Sequence, residues 1–184
     1  MAKREILLSG AGGQGVLFLG NILSLAAAQK GKRVATTPSY GAAVRGGEVK
    51  CGVIFSDEEI YDPIVDEAEI LVALNESSLK AFGPQVRRDG LLICGDSEEN
   101  RATINSWGKP VQVISVPLKS LGAERTHNMI ALGVLLQLEP ELTYDLVKAA
   151  LTKEMKKRGR ENLVEENLKA VQEGIRWYRE KSKG

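Results

Sequence analysis

Hydrophobic and polar residues follow a pattern that predicts alternating strands and helices over the first 120 residues. Short apolar runs bounded by glycine, proline or polar clusters are typical of buried strands. The predicted strands cover residues 6–8, 33–37, 48–56, 69–74, 91–94 and 111–116. This alternation predicts an α/β fold with a Rossmann-like, doubly wound and mostly parallel sheet.

Residues 48–56 differ from the other runs because apolar and polar side chains alternate along them. That alternation predicts a half-exposed strand. Residues 57–59 can form a turn, and Ile60 and Tyr61 can form a short return strand. We therefore expect an antiparallel hairpin at one edge of the sheet.

Helical patterns connect the strands and dominate the C-terminal third. The first helix begins at Val16, is apolar on nearly every side and closes at Gly31, as C-cap glycines do. Asn75 can cap a short helix that runs through Phe82, and Thr126 or Asn128 can cap an apolar helix ending before Pro140. Two amphipathic helices follow, over residues 144–158 and 164–178. We predict one domain, residues 1–184, with C-terminal helices packed on it.

A glycine cluster joins the first predicted strand to the first helix. Gly10, Gly12, Gly13 and Gly15 surround Ala11 and Gln14 in the pattern G-x-G-x-x-G. Glycine permits positive φ and close approach of a ligand or another backbone. Free amides at the start of the helix favour an anion. The cluster is therefore a candidate binding turn.

Three interpretations of this turn compete. Dinucleotide binding requires an acidic residue about 20 positions later, at the end of the second strand. Here that strand ends at Thr37 and is followed by Pro38, so the acid is missing. The glycines could instead only allow close crossing of helix and sheet. The third possibility is a site for a phosphate, a carboxylate or a partner chain.

The segment from Pro38 to Gly47 is rich in small residues and should lie on the surface near the strand ends. Its large polar side chains are Tyr40 and Arg45. Arg45 could bind a carboxylate or phosphate in a forked geometry, or could be a solvated loop arginine. The candidate site residues here are Ser39, Tyr40, Arg45, Gly46 and Gly47.

Composition excludes several classes of function. The 25 basic and 24 acidic residues leave a net charge of +1, so no overall field recruits nucleic acid. Cys51 and Cys94 lack metal-ligand spacing and are predicted to be buried, reduced thiols. His127 has no accompanying nucleophile motif, so a capping or interface role is favoured over catalysis. We predict no catalytic or metal-binding residue, no membrane span and a cytoplasmic location.

Several motifs together resemble the gamma subunit of the 2-oxoacid:ferredoxin oxidoreductases. They are SGAGGQG at 9–15, SYGAAVRGG at 39–47, IYDPIV at 60–65, ALN at 73–75 and HNMIALG at 127–133. The likeness extends over almost the whole chain and is greatest to the gamma subunit of the 2-oxoglutarate enzyme. Pyruvate, branched-chain and indolepyruvate relatives share much of the pattern. One departure is Ala42 and Ala43, where the loop usually has a proline and an acidic residue.

The resemblance implies oxidative decarboxylation of a 2-oxoacid to its acyl-coenzyme A, with ferredoxin as the electron acceptor. Thiamine diphosphate, Mg²⁺ and 4Fe-4S clusters are expected on partner subunits, namely alpha, beta and in some complexes a ferredoxin-like delta chain. This chain has no clustered cysteines, and its Cys94-Gly95-Asp96-Ser97 run lacks the second glycine of a diphosphate motif. It should be inactive alone and hold no cofactor by itself.

We hypothesise that the turn from Gly10 to Gly15 and the loop from Ser39 to Gly47 lie side by side at the C-terminal edge of the sheet. There they would face coenzyme A or a catalytic subunit, with Arg45 near a phosphate or carboxylate. The alternatives are a free-standing nucleotide-binding oxidoreductase domain and a purely structural assembly module. An isolated chain is expected to form a homodimer through the edge hairpin or the C-terminal helices.

Overall fold

The structure is a computed structural model that describes residues 3–40 and 47–183. In this part of the chain, six strands form one sheet in the order β2-β3-β1-β4-β5-β6. The strands are β1 (Arg4–Ala11), β2 (Arg33–Tyr40), β3 (Glu48–Ser56), β4 (Ala68–Ala73), β5 (Val86–Gly95) and β6 (Gln112–Val116). The helices are α1 (Val16–Gln29), α2 (Glu76–Phe82), α3 (Glu98–Asn105), α4 (Leu118–Leu121), α5 (His127–Leu138), α6 (Tyr144–Lys157) and α7 (Val164–Lys181).

The sheet is mixed but mostly parallel. Strands β1, β4, β5 and β6 are parallel neighbours, whereas β3 pairs antiparallel with both β1 and β2. Strand β2 therefore runs in the same direction as β1 but is separated from it by β3. The predicted α/β fold class is confirmed, and β3 lies where a simple β-α-β unit would have placed β2.

Helices cover both faces of the sheet. The larger core includes Ile6 and Leu8 of β1 together with side chains of α1, α5, α6 and α7. The smaller core lies on the opposite face, where Leu7 packs with residues of α2 and α3. Within the described ranges, no helix combines the length and apolar character needed to cross a membrane.

Strand β3 is buried on both faces, so the prediction of a half-exposed strand is wrong. Its residues from Cys51 to Ser56 are all buried. Cys51 and Phe55 belong to the larger core, and Ile54 belongs to the smaller one. The alternation is real, but the face that carries Lys50 is covered too, because Val65 packs over Gly52.

The antiparallel hairpin exists but has different members from those predicted. Strands β2 and β3 form it at the edge of the sheet, with Thr37 opposite Gly52. Ile60 and Tyr61 form no strand; they lie in the loop 57–67, which crosses the smaller-core face. Ile60 packs against that core, whereas Tyr61 is 90% exposed. These two adjacent apolar residues therefore belong to a loop, in which one side chain is packed and the other is exposed.

The predicted helix ends are mostly confirmed. Gly31 follows α1 with φ +85°, and Asn75 caps α2 because its Oδ1 accepts a hydrogen bond from Ser78 N at 2.8 Å. Helix α5 ends before Pro140, as expected. Neither Thr126 nor Asn128 caps it in the predicted way. The Thr126 hydroxyl donates to Ala123 O instead, and Asn128 reaches towards Gly15.

Helices α5 and α7 cross at two facing glycines. A Cβ atom on Gly133 would lie 2.0 Å from Val171 O, and one on Gly174 would lie 2.0 Å from Ile130 O. The two backbones therefore approach closer than any side chain would allow. This crossing fixes α7 on the larger core.

Replacing Gly133 with alanine should lower the free energy of unfolding by about 3 kcal/mol, because the helices must separate to admit the methyl group. Urea unfolding of the isolated chain measures this. The control is Lys169→Ala on the exposed side of α7, which should change stability by about 0.5 kcal/mol or less. Equal stability of both variants would show that the crossing tolerates a side chain.

Both cysteines are free and buried, as the sequence predicts. They lie on opposite faces of the sheet, Cys51 in the larger core and Cys94 in the smaller one. Burial raises the pKa of each thiol to about 11. Opposite faces and protonated sulfurs do not suit a shared metal or iron–sulfur cluster.

A raised thiol pKa means less thiolate at pH 8 in the folded chain than in the unfolded chain. The native protein should therefore react with Ellman's reagent on the order of 100-fold more slowly than the urea-unfolded protein. The absorbance of the released thionitrobenzoate gives both rates. Comparable rates in the two states would contradict the burial of Cys51 and Cys94.

Candidate functional site

A cleft of about 900 Å³ opens at the C-terminal edge of the sheet. It lies where β1, β4, β5 and β6 end, and residues that follow each of these strands line it. The chain leaves β1 for α1 on one face and leaves β4 for α2 on the other. The cleft therefore begins at the topological switch point, where open α/β sheets usually bind ligands.

The glycine turn has the backbone geometry that its sequence predicts. Gly13 has φ +99° and Gly15 has φ +75°, and both values are costly for other residues. A Cβ atom on Gly10 would lie 2.8 Å from Val16 Cγ2, so that glycine permits close packing of strand and helix. Gln14 N donates to Ala11 O at 3.1 Å and closes the turn.

Gln14 also links this turn to the neighbouring strand end. Its Oε1 accepts a hydrogen bond from Ala11 N at 2.8 Å and another from Asn75 Nδ2 at 2.7 Å. Asn75 in turn caps α2 through its Oδ1. One side-chain oxygen thus holds the starts of α1 and α2 together across the switch point.

The start of α1 is a helix end that a bound anion would favour, and α5 likewise lacks a side-chain cap and an acidic residue in its first turn. No side chain caps α1, and its first turn contains no acidic residue. By contrast, α2 and α3 are capped by Asn75 and Ser97 and have carboxylates in their first turns. Uncapped amides and the positive end of the helix dipole both attract negative charge.

Helix α5 begins beside the glycine turn. Asn128 Nδ2 lies 3.4 Å from Gly15 O, and a Cβ atom on Gly15 would lie only 2.3 Å from that nitrogen. His127 lines the cleft with Nε2 3.1 Å from Gly122 O. Ser120, also in the cleft, donates to Pro117 O. These two contacts form no nucleophile–base pair, and the capping or interface role of His127 stays a prediction.

The structure brings together only part of the predicted site. Gly12 N donates to Gly47 O at 3.0 Å, so the turn and the end of the loop do lie side by side. Ser39 and Tyr40 lie at the end of β2, two strands from β1 and thus roughly 10 Å away. Tyr40 is 67% exposed there. Arg45 and Gly46 fall outside the described residues.

Charge divides the edge into two parts. Beyond Asn75, the cleft is lined by four carboxylates and one lysine: Glu76, Asp96, Glu99, Glu124 and Lys119. Glu76 pairs with Lys80 and Asp96 with Arg101, so Glu99 and Glu124 are left against Lys119, and this part of the cleft does not attract phosphate. A bound anion is therefore expected at the glycine turn, and the carboxylate-rich part suits cationic or neutral groups.

Asn75 and Asn128 are contact residues that sequence reasoning identified only as helix caps. Their partners Gln14 and Gly15 lie 61 and 113 positions away along the chain. The signal available in the sequence was the short motifs ALN and HNM, which mark these positions but not what they touch. Within residues 3–40 and 47–183, no three His, Cys, Asp or Glu side chains gather as metal ligands would.

Comparison with known proteins gives the chain's family. Residues 5–177 match the family model described as pyruvate ferredoxin/flavodoxin oxidoreductase. The 2-oxoglutarate synthase subunit KorC of Archaeoglobus fulgidus is 34% identical over 97% of this chain and 90% of its own length. The ketoisovalerate oxidoreductase subunit VorA of Methanothermobacter thermautotrophicus is also 34% identical, over 98% of this chain, but the chain spans only 37% of VorA.

Solved structures agree with these matches. The gamma subunit of a keto/oxoacid ferredoxin oxidoreductase from Geobacter sulfurreducens is 27% identical, with a TM-score of 0.73 over 95% of this chain and 98% of that one. The fold is also shared by a 2-oxoglutarate:ferredoxin oxidoreductase from Magnetococcus marinus, solved with 2-oxoglutarate, coenzyme A and succinyl-CoA bound. That protein is 22% identical, and the TM-score is 0.81 over 97% of this chain and 31% of that one. The chain therefore belongs to the pyruvate ferredoxin/flavodoxin oxidoreductase family, as a gamma-type unit.

Proposed function

We propose that this chain is the gamma subunit of a multi-subunit enzyme that oxidatively decarboxylates a 2-oxoacid to its acyl-coenzyme A and reduces ferredoxin. The observation that carries the proposal is the family match together with an open glycine turn at the switch-point cleft. Relatives of gamma type occur both as separate chains and within chains about three times as long. A unit that can be fused in this way is expected to work in contact with other modules.

The 2-oxoacid is proposed to be 2-oxoglutarate, with a branched-chain acid such as ketoisovalerate as the second candidate. KorC is a 2-oxoglutarate synthase subunit and VorA is a ketoisovalerate oxidoreductase subunit, and both are 34% identical to this chain. Only the KorC chain also agrees in length. Assay of the assembled enzyme with both acids decides between them.

Thiamine diphosphate, when bound by a partner subunit, supplies the carbanion chemistry. The buried, opposed cysteines of this chain do not fit an iron–sulfur cluster. Its own residues are instead proposed to form one wall of a binding cleft in the assembled enzyme. The uncapped start of α1 and the backbone from Gly12 to Gly15 favour an anion such as a phosphate of coenzyme A, or a carboxylate of a catalytic subunit.

The sheet order argues against the rival dinucleotide-binding oxidoreductase. A dinucleotide needs the end of the second strand beside the glycine turn. Here β3 lies between β1 and β2, and Gly47 occupies the position next to Gly12. The purely structural module is the remaining rival, and it predicts that the turn contacts protein only.

Replacing Arg45 with alanine in the reconstituted complex should raise the KM for coenzyme A, or weaken assembly, by about tenfold, the effect of losing one charge-assisted hydrogen bond. Steady-state kinetics and size-exclusion chromatography measure the two effects. Arg176→Ala on α7 is the matched control. Unchanged turnover, KM and assembly would refute the role given to Arg45.

The glycine turn itself can be tested with two glycines in similar backbone states. Gly13 and Gly31 have φ +99° and +85°, and no described atom lies within 4 Å of a Cβ added to either. Alanine at each should cost about 1–2 kcal/mol of stability. Only Gly13→Ala should also raise the KM for coenzyme A or weaken the complex, because only that methyl group would lie at the proposed anion site.

Thermal unfolding of the isolated variants checks that both lose similar stability. Kinetics of the reconstituted enzyme then compare their function. If Gly13→Ala behaves like Gly31→Ala in every assay, nothing approaches the turn closely. If it impairs assembly without changing the KM for coenzyme A in the assembled fraction, the structural rival is favoured.

A further inference from the structure

The loop 57–67, here called the acidic loop, combines two exposed apolar side chains with a concentration of negative charge. Six of its eleven residues are acidic, and none is Lys or Arg. Tyr61 is 90% exposed and Ile64 is 55% exposed. Among the described residues, only Tyr40 is another large hydrophobic residue with comparable exposure.

The chain holds this loop in a fixed conformation. Val65 is 4% exposed and packs over Gly52, where a Cβ atom would lie 3.1 Å from Val65 Cγ2. Pro63 O accepts a hydrogen bond from Thr37 Oγ1 at 2.8 Å. Asp62 Oδ1 accepts one from Ile64 N at 2.9 Å. An ordered loop that presents an aromatic side chain loses little conformational entropy on binding.

The charge of the loop is only partly neutralised by its own chain. Asp57 pairs with Lys32 Nζ at 2.7 Å, and Glu59 lies 3.6 Å from Arg33. Across residues 3–40 and 47–183, the other four carboxylates form no ion pair: Glu58, Asp62, Asp66 and Glu67. Tyr61 and Ile64 are thus flanked by negative charge that is available to a partner.

We propose that the acidic loop docks onto another protein chain of the oxidoreductase complex, at an apolar pocket flanked by lysine and arginine. Tyr61 is the anchor, since buried tyrosines often dominate the energy of an interface. The carboxylates orient the approach and select a cationic rim. This inference rests on the proposed function, because it takes the partner from the same complex.

Charge argues against the other possible occupants. A second copy that docked through the same loop would bring the carboxylates of the two loops together. Nucleic acid and anionic membranes would be repelled in the same way. A cationic protein surface is left as the occupant that satisfies both the charge and the apolar side chains.

The acidic loop and the glycine turn are separate surfaces. The loop packs on the smaller-core face near Thr37 and Gly52, in the middle of their strands, whereas the turn lies at the C-terminal edge. A loop variant should therefore weaken association without changing the KM for coenzyme A once the complex is saturated. That difference distinguishes docking from a role in the crevice.

The experiment measures binding of the chain to the alpha and beta subunits of the proposed complex by isothermal titration. Tyr61→Ala combined with Ile64→Ser should raise the Kd about tenfold or more. Glu58→Lys combined with Glu67→Lys should also weaken binding and should reduce its dependence on salt. The control is Glu161→Lys combined with Glu165→Lys, which makes the same charge change at two exposed positions on or just before α7.

Circular dichroism and thermal unfolding check that each variant is folded. If the loop variants bind within twofold of the wild type, the docking proposal is overturned while the proposed function stands. If the wild-type chain does not bind these subunits at all, both proposals fail. Loss of self-association in Tyr61→Ala, with unchanged binding to the subunits, would assign the loop to contacts between copies of this chain and would also overturn it.

Discussion

The side-chain carboxamide of Gln14 connects the end of β1 to the end of β4 at the topological switch point. Its oxygen accepts hydrogen bonds from Ala11 N at the end of β1 and from Asn75 Nδ2 at the end of β4. Leu74 N also donates to Ser9 O at 2.9 Å, so the side-chain link adds to a backbone link at the point where the following helices leave on opposite faces. The bridge fixes the turn from which α1 starts beside the cleft, and the anion-binding role proposed for the turn depends on that placement.

The position of β3 changes what the glycine turn can bind. In a dinucleotide fold, the second strand lies beside the first and holds the ribose. Here β3 occupies that place, and the loop that precedes it brings Gly47 to Gly12. The same glycine pattern is thus covered on one side by the chain's own backbone. What remains open is the side that faces the cleft, which is consistent with a crevice completed by another chain.

Local signals in the sequence predicted most of the fold. The apolar strands, the Gly31 end of α1 and the Asn75 cap each depend on neighbouring residues, and the structure confirms them. Strand β3 was misjudged because Val65, which covers its second face, lies in a loop with no regular pattern. The Gly13 and Gly15 conformations followed from residue type. The side chains that contact the turn could not be predicted in this way, because Asn75 and Asn128 are distant in the sequence and reach the turn only in the folded chain.

The edge strand β2 limits how a partner chain can extend the sheet. Strand β2 forms one edge and β6 the other, and Pro38 within β2 lacks an N–H, as prolines in edge strands do. A homodimer formed by pairing β2 with a second β2 is therefore disfavoured, although self-association of the isolated chain stays a prediction. Side chains and turns offer other contacts with partner chains. Two such surfaces are available, the glycine turn at the C-terminal edge and the acidic loop on the smaller-core face. Because these surfaces lie apart, the acidic loop can bind a neighbouring chain while the glycine turn contributes to the cleft at the C-terminal edge.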